Sequence, residues 1–289
     1  MDDYKRIQNA IEFIENNLQN DVLITDIAAE ACFSAFHFQR LFQAISGFSV
    51  HEYMRKRRLS EAADLLKATH TSVLDIAISF QYNSQEAFTR AFEGYIGMTP
   101  AKFRKSGEAG CRQTKINFLD YKNKANGALP MDKPAILQLD ATRIIGYEYH
   151  TSLSNDQYFA EIPGFYRQFG SDGLYLRIPD SIAPNMAYGI SCQFQDDGRF
   201  SFVIGEKVQA FVDAVDEGFV QMEIPEGKYA EFKAFGAVGR VQEIRNYIYG
   251  TWLPNSNYER SEGPDFEVTD VMNSAYPHDL RIKIYIPIA

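Results

Sequence analysis

Cysteine is scarce in these 289 residues: Cys32, Cys111 and Cys192 are the only three. An odd number, far apart and outside any CxxC pattern, excludes a disulfide framework and a zinc ribbon and predicts a reducing compartment, the cytoplasm. Five histidines are scattered without metal-ligand spacing, so neither a metal nor a cofactor is expected. No leading hydrophobic stretch marks a secretory signal, and no apolar run approaches the roughly 20 residues that span a bilayer. No membrane partner is therefore expected. A basic surplus is missing too, since the formal net charge is −9. Residues 1–110 hold 12 Lys and Arg against 14 Asp and Glu, so most of the acidic excess lies beyond them. Positive charge in the first part is local, at Arg40, Arg55–Arg58, Arg90 and Lys102–Lys105. Non-specific binding to phosphates is predicted to be weak and salt-sensitive.

What is present is a repeat. SAFHFQRLFQAISG at 34–47 reappears as SQEAFTRAFEGYIG at 84–97, and Asp26-Ile27-Ala28 reappears as Asp75-Ile76-Ala77. Ser34 and Ser84 are N-cap residues, able to satisfy free N–H groups at a helix start. Phe38, Leu41, Phe42 and Ile45 recur at helical spacing as an apolar stripe. Phe36, Gln39, Arg40 and Gln43 fall on the other face. In the second copy Phe88, Ala91, Phe92 and Tyr95 point inward, and Gln85, Glu86, Thr89 and Arg90 point outward. Each copy follows a shorter apolar-spaced helix, at 24–31 and 73–80. This is a duplicated helix-turn-helix. The major groove admits a helix, and Arg and Gln make bidentate contacts to guanine and adenine edges. Between the copies, residues 50–68 read as one long helix that spaces them about one DNA turn, roughly 34 Å, apart. Its run Arg55-Lys56-Arg57-Arg58 is a candidate phosphate contact, with Arg55 and Arg57 the residues singled out. The plain alternative is a helical bundle with a solvated charged face, but ordinary packing does not require two similar polar faces.

On these residues, 4–106 resemble the DNA-binding domain of AraC-family transcription regulators, and the first recognition helix is similar to that of the branch containing Rob and MarA. The resemblance implies base contacts from Phe36, Gln39 and Arg40 in the first helix and from Gln85, Thr89 and Arg90 in the second. Two departures stand out. Gln81 occupies a turn position where the family often has Gly, so the turn before Ser84 is expected to differ. Glu86 replaces a neutral polar residue; a carboxylate repels phosphate but accepts from a cytosine amino group.

Turn-rich residues 107–134 form the expected linker between a domain at 1–106 and one at 135–289. Within it, KINFLDY is a candidate short strand. From Ala135 the pattern changes to strands at 136–150, 187–194 and 199–205, with a helix around 163–169 between the first two, then strand 219–235, helix 238–249, strand 265–271 and strand 280–288. The fold class is thus multidomain: an all-α double helix-turn-helix domain followed by an α+β domain of two strand-helix-strand-strand repeats. Two such repeats make an antiparallel sheet with helices on one face and a cleft where the halves meet.

By the two-residue period, Asp265, Glu267 and Thr269 share one strand face and Phe266 and Val268 the other. Aromatic residues are spread over this half, among them Tyr147, Phe165, Tyr166, Tyr188 and Trp252. If the Glu267 face lines the cleft, a carboxylate among rings attracts a flat lipophilic cation. The bland reading makes most of the rings core and Glu267 a solvated strand residue. The strings IPGFYRQF, YIYGTWLPNSNYE, GPDFEVTDV and LRIKIYIPI resemble the GyrI-like effector-binding domain. That resemblance makes Glu267 the ligand carboxylate and Trp252 a pocket aromatic.

The leading expectation is a transcription regulator, not an enzyme. It binds a double-stranded operator, is controlled by a small organic effector, works with RNA polymerase and acts as a monomer or homodimer. A second reading makes Glu267 the general base of a hydrolase of reactive electrophiles. A third has the second domain only docking a protein partner.

Overall fold

The computed structural model describes residues 3–106, 112–120, 133–153, 157–195 and 197–289. Two compact units divide the chain, Met1–Lys124 and Ala125–Ala289.

The first unit is helical: α1 (Asp3–Asn16), α2 (Ile24–Glu30), α3 (Ala35–Ser46), α4 (Val50–Ala68), α5 (Val73–Ser79), α6 (Gln85–Ile96) and α7 (Pro100–Lys105). The repeat is visible at both ends of its helices. Ser34 accepts from the His37 N–H and Ser84 from the Ala87 N–H, while Gly47 and Gly97 close α3 and α6 in the left-handed conformation at φ 77° and 88°. Only glycine adopts that C-cap geometry without a Cβ penalty. Ser49 and Ser72 cap α4 and α5 in the same way. Phe38 and Phe42 meet at 5.7 Å, Phe88 and Phe92 at 5.4 Å, so each copy buries the same pair at i and i+4.

The turn before Ser84 repeats the form of the turn before Ser34. Cys32 and Gln81 are both left-handed, at φ 53° and 66°. The N–H groups that follow them bond the same way, Phe33 to the Ala28 carbonyl and Tyr82 to the Ala77 carbonyl. Gln81 holds the geometry with a side-chain bond to the Gln19 carbonyl.

KINFLDY forms no strand where it is described; Tyr121 and Cys111 lie outside the described residues. Side chains of the helices meet the backbone instead. Ser60 accepts from the Gln113 N–H, Tyr53 from the Ile116 N–H and Gln8 from the Phe118 N–H. Phe118 is fully buried, 5.4 Å from Phe42.

The second unit contains β1 (Ala135–Leu139), β2 (Thr142–Ser152), α8 (Gln157–Ser171), β3 (Met186–Cys192), β4 (Arg199–Lys207), β5 (Phe219–Ile224), β6 (Gly227–Gly236), α9 (Gly239–Tyr247), β7 (Asp265–Asp270) and β8 (Leu280–Pro287). A π-helical turn, Ile248–Trp252, continues α9. All strands join one antiparallel sheet in the order β1-β6-β8-β7-β3-β4-β2-β5. The two strand-helix-strand-strand repeats are β2-α8-β3-β4 and β6-α9-β7-β8, and they meet at β3 and β7.

Two expected strands are each two. The stretch at 136–150 breaks at Asp140-Ala141, and that at 219–235 breaks at Pro225-Glu226. The broken pieces do not pair with each other. β1 crosses to the far edge beside β6, and β5 stays beside β2. In a flat sheet β1 and β2 would lie about 29 Å apart at about 4.8 Å per strand. A two-residue link spans at most about 11 Å, so the sheet must curl. Ile144, Ile190, Val203, Ile224, Tyr229, Phe266, Val268 and Tyr285 fill the face closed by that curl, with Leu137 and Leu139 packed against them. The opposite face carries the helices, and Phe165 and Phe169 of α8 share a core there with Ile145, Phe200, Phe202 and Ile204.

Candidate functional site

α8 lies on β2 and β4 and α9 on β6, which leaves β3 and β7 as the strands between the helices. Strand alternation on β7 sends Phe266 and Val268 into the curled face and leaves Asp265, Glu267 and Thr269 toward the helices. Directly opposed residues of an antiparallel pair share a face. The register therefore draws one row across the helix side: Phe219, Tyr147, Ile204, Gly189, Glu267, Ile284 and Phe232. Glu267 and Gly189 are its centre, one from each repeat.

Glu267 is 4% exposed. The Tyr166 hydroxyl, from α8, donates to its Oε1 at 2.9 Å. Arg245 Nη2, from α9, donates to its Oε2 at 2.6 Å. Burial, then the Glu267 charge, drives the Tyr166 phenol well above its ordinary range. Burial works against the Arg245 charge, and Glu267 more than offsets it, so the guanidinium is held above its usual value. A second buried pair lies beside the first. Asp265 Oδ1 meets Arg260 Nη2 at 3.0 Å, and the Tyr249 hydroxyl donates to Asp265 Oδ2. Two carboxylates are thus matched by two guanidiniums.

The bland reading of Glu267 as a solvated strand residue is corrected here: the carboxylate is buried and paired. Burying a charge without a partner costs several kcal/mol, and Arg245 supplies that partner from within the chain. The signal was present: Arg245 and Tyr249 stand at i and i+4 and so share one helix face.

Residues 135–288, just over half of the chain, match the model of integron-associated effector binding proteins. The chain belongs to this family. Within it, the effector-binding domain is the sheet unit just described, and residues 27–106 match a helix-turn-helix domain model of the AraC type. Over their full length, two curated proteins are similar. The right origin-binding protein of Escherichia coli (strain K12) is 29% identical, with 100% of this chain and 99% of that protein covered. The transcriptional regulator Rob of Salmonella typhimurium is 28% identical with the same coverage. The HTH-type transcriptional activator AarP of Providencia stuartii is 39% identical over 35% of this chain and 74% of its own. Rob and AarP are named as transcription factors rather than enzymes, and this member of the family is a DNA-binding transcription regulator with an effector-binding domain.

Of the residues expected around the effector, the structure joins Tyr166 to Glu267. Phe165, next in sequence, points to β2, stacking on Tyr149 at 4.9 Å with Tyr147 at 6.3 Å. Tyr147 shares the central row with Glu267, three strands away. Trp252 packs edge-on against Phe232 at 5.0 Å and stacks on Tyr258, at the other end of that row. Tyr188 does not join them. It opposes Val268, so strand alternation turns it into the curled face, where it lies over Phe266.

On the DNA side the two reading helices differ. Gln85, Glu86 and Arg90 of α6 are exposed, Thr89 is half-buried, and Ser84 caps the helix. The Glu86 carboxylate is drawn back to its own N–H and the Ser84 hydroxyl, which hold its pKa below the usual carboxylate range. In α3, Phe36 and Gln43 are half-buried. Gln39 and Arg40, expected to face outward, are only 4% and 6% exposed. Arg40 lies down along its own helix, over the Phe36 ring.

Arg57 is a further correction. It is 8% exposed and fully engaged, with a two-nitrogen grip on Glu15, an ion pair with Glu61 and a bond to the Gln113 carbonyl. It ties α1, α4 and the 112–120 segment together and is not available to phosphate. Arg55 is exposed. Among the described residues, no cluster of His, Cys, Asp and Glu suits a metal ion, and no helix is long and apolar enough to cross a membrane.

Proposed function

We propose that the chain is a one-component regulator whose sheet unit binds a small aromatic, cationic effector over β3 and β7 and whose helical unit reads an operator with α3 and α6. One observation carries the effector reading: a buried carboxylate at the centre of the sheet is held by side chains from two separate helices, Tyr166 of α8 and Arg245 of α9. A ligand that replaces either contact changes the relation of those helices. Unequal affinity for the two arrangements is what lets a ligand switch a protein. Glu267, Tyr166, Tyr147, Phe165 and Trp252 are the proposed effector residues. Gln85, Thr89 and Arg90 are the proposed base contacts of α6, with Phe36 and Gln43 those of α3 and Arg55 a phosphate contact; Gln39 and Arg40, buried against the unit, are left out. We assign 1–106 to DNA and 135–289 to the effector, with RNA polymerase as the partner at the promoter. The test is a titration of full-length protein with planar cations, followed by Trp252 fluorescence, beside Glu267→Gln. Saturable quenching lost in the variant supports the reading; an identical response in the variant removes Glu267 from the site.

A further inference from the structure

The two buried Arg–carboxylate pairs on the helix side of β7 are built differently. Arg260 is locked: besides Asp265 it donates to the carbonyls of Ser261 at 2.9 Å and Gly263 at 2.6 Å. Arg245 makes one contact to its carboxylate, through Nη2, and its buried Nη1 has no acceptor. The difference lies in the number of acceptors: Arg260 is held by three and Arg245 by one. Arg245 is therefore the guanidinium that a competitor can displace, and Arg260 is the one that stays.

Resting on the effector reading above, we propose that Arg245 is the specificity-determining residue of the effector site: it occupies the effector's place on Glu267, and only a cation that brings its own N–H donors, an aromatic amidinium or guanidinium, replaces it. Both Glu267 oxygens carry a donor in this structure, Tyr166 O–H on Oε1 and Arg245 N–H on Oε2. An incoming amidinium restores both the charge and the hydrogen bond that Arg245 gives up. A quaternary onium restores the charge alone and leaves a buried carboxylate oxygen short of a donor. Charge-assisted N–H···O bonds are among the strong ones, so the difference decides between two cations of similar size. The released Arg245 carries the message, because it sits on α9, one π-helical turn before Trp252.

Full-length protein is titrated with benzamidinium, tetraphenylphosphonium and uncharged benzamide, by calorimetry and Trp252 fluorescence. The titrations are repeated on Arg245→Met, Arg245→Lys and Glu267→Gln, each checked first for a cooperative melt. The expected result is benzamidinium binding at least tenfold tighter than the phosphonium and no benzamide binding. Arg245→Met should tighten benzamidinium at least a further tenfold, Arg245→Lys should leave it near wild type, and Glu267→Gln should abolish it. Arg245→Gln, uncharged but able to hydrogen-bond, replaces the Met variant if that fails to fold and carries the same expectation. Tetraphenylphosphonium binding as tightly as benzamidinium, with Arg245 variants unchanged, would make Arg245 a fixed counter-ion and overturn the proposal while the effector reading stands. Absence of binding by either cation to wild type and to the Arg245 variants would overturn both.

Discussion

Gly189 stands directly across from Glu267 in the β3–β7 pair, and the Tyr166 hydroxyl lies over the space its missing side chain leaves. A Cβ on Gly189 would fall 2.1 Å from that hydroxyl and 3.0 Å from Glu267 Cγ. Two repeats of like topology thus contribute unlike residues at equivalent positions, a carboxylate from one and room from the other. Gly189→Ala is expected to push the phenol off Glu267. Loss of a buried hydrogen bond with local overpacking predicts a destabilisation of about 1–3 kcal/mol. Equilibrium urea unfolding measures it, and an unchanged midpoint would mean that the phenol does not need this space.

The Glu267–Arg245 pair is a candidate for a double-mutant cycle. Removing Arg245 strands a buried charge, and Arg245→Met is expected to cost about 3–5 kcal/mol. Glu267→Gln in the same chain removes the stranded charge and should recover most of that loss. Additive single effects would show that the two residues are not coupled.

Three arginines of the helical unit should separate by role. Arg57→Met is expected to destabilise the unit by about 3–5 kcal/mol, because it leaves Glu15 without its partner, and to affect DNA only through folding. Arg55→Ala is expected to weaken binding evenly across sequences and lower the salt slope by about one. Arg90→Ala should relax base preference at one operator position, at about 1–3 kcal/mol. Thermal melts and salt-dependent binding to a selected duplex sort the three; a stable Arg57→Met with a reduced salt slope would return Arg57 to the phosphates.

Cys192 should be a slow thiol. Burial, then the nearby Glu148, pushes it from the ordinary value near 9 up to about 12. Cys32 is exposed. In a chain carrying only Cys192, alkylation at pH 8 is expected to be slow when folded and fast in urea. The sign for stability follows. The folded state holds the Cys192 proton more tightly than the unfolded state, so its contribution is whole below about pH 9 and is lost as pH rises toward 12. A melting temperature flat across that window would contradict it.

Local rules carried much of this fold. The Ser caps, Gly C-caps and i, i+4 phenylalanines of the repeat are short-range features, and the helices follow them closely. Glu267 was legible because its strand alternates cleanly. What was not legible depends on distant partners. Tyr188 alternates too, but its face is fixed by register with β7, nearly 80 residues away. Arg57 reads as one of four surface cations until Glu15 is brought against it. Arg245 reads as an ordinary helical arginine until the sheet sets Glu267 beneath it. The breaks at 140–141 and 225–226 are short enough to look like continued strand, and only the curl of the sheet sends their two sides to opposite edges.

The most direct measurement is the affinity of full-length protein for a duplex selected from a random library, with and without saturating benzamidinium, in wild type and Glu267→Gln. The account predicts that the ligand shifts DNA affinity in wild type and leaves the variant, which still binds DNA, unmoved. An equal shift in both proteins, or none in a wild type that binds the ligand, would contradict control of DNA binding through Glu267.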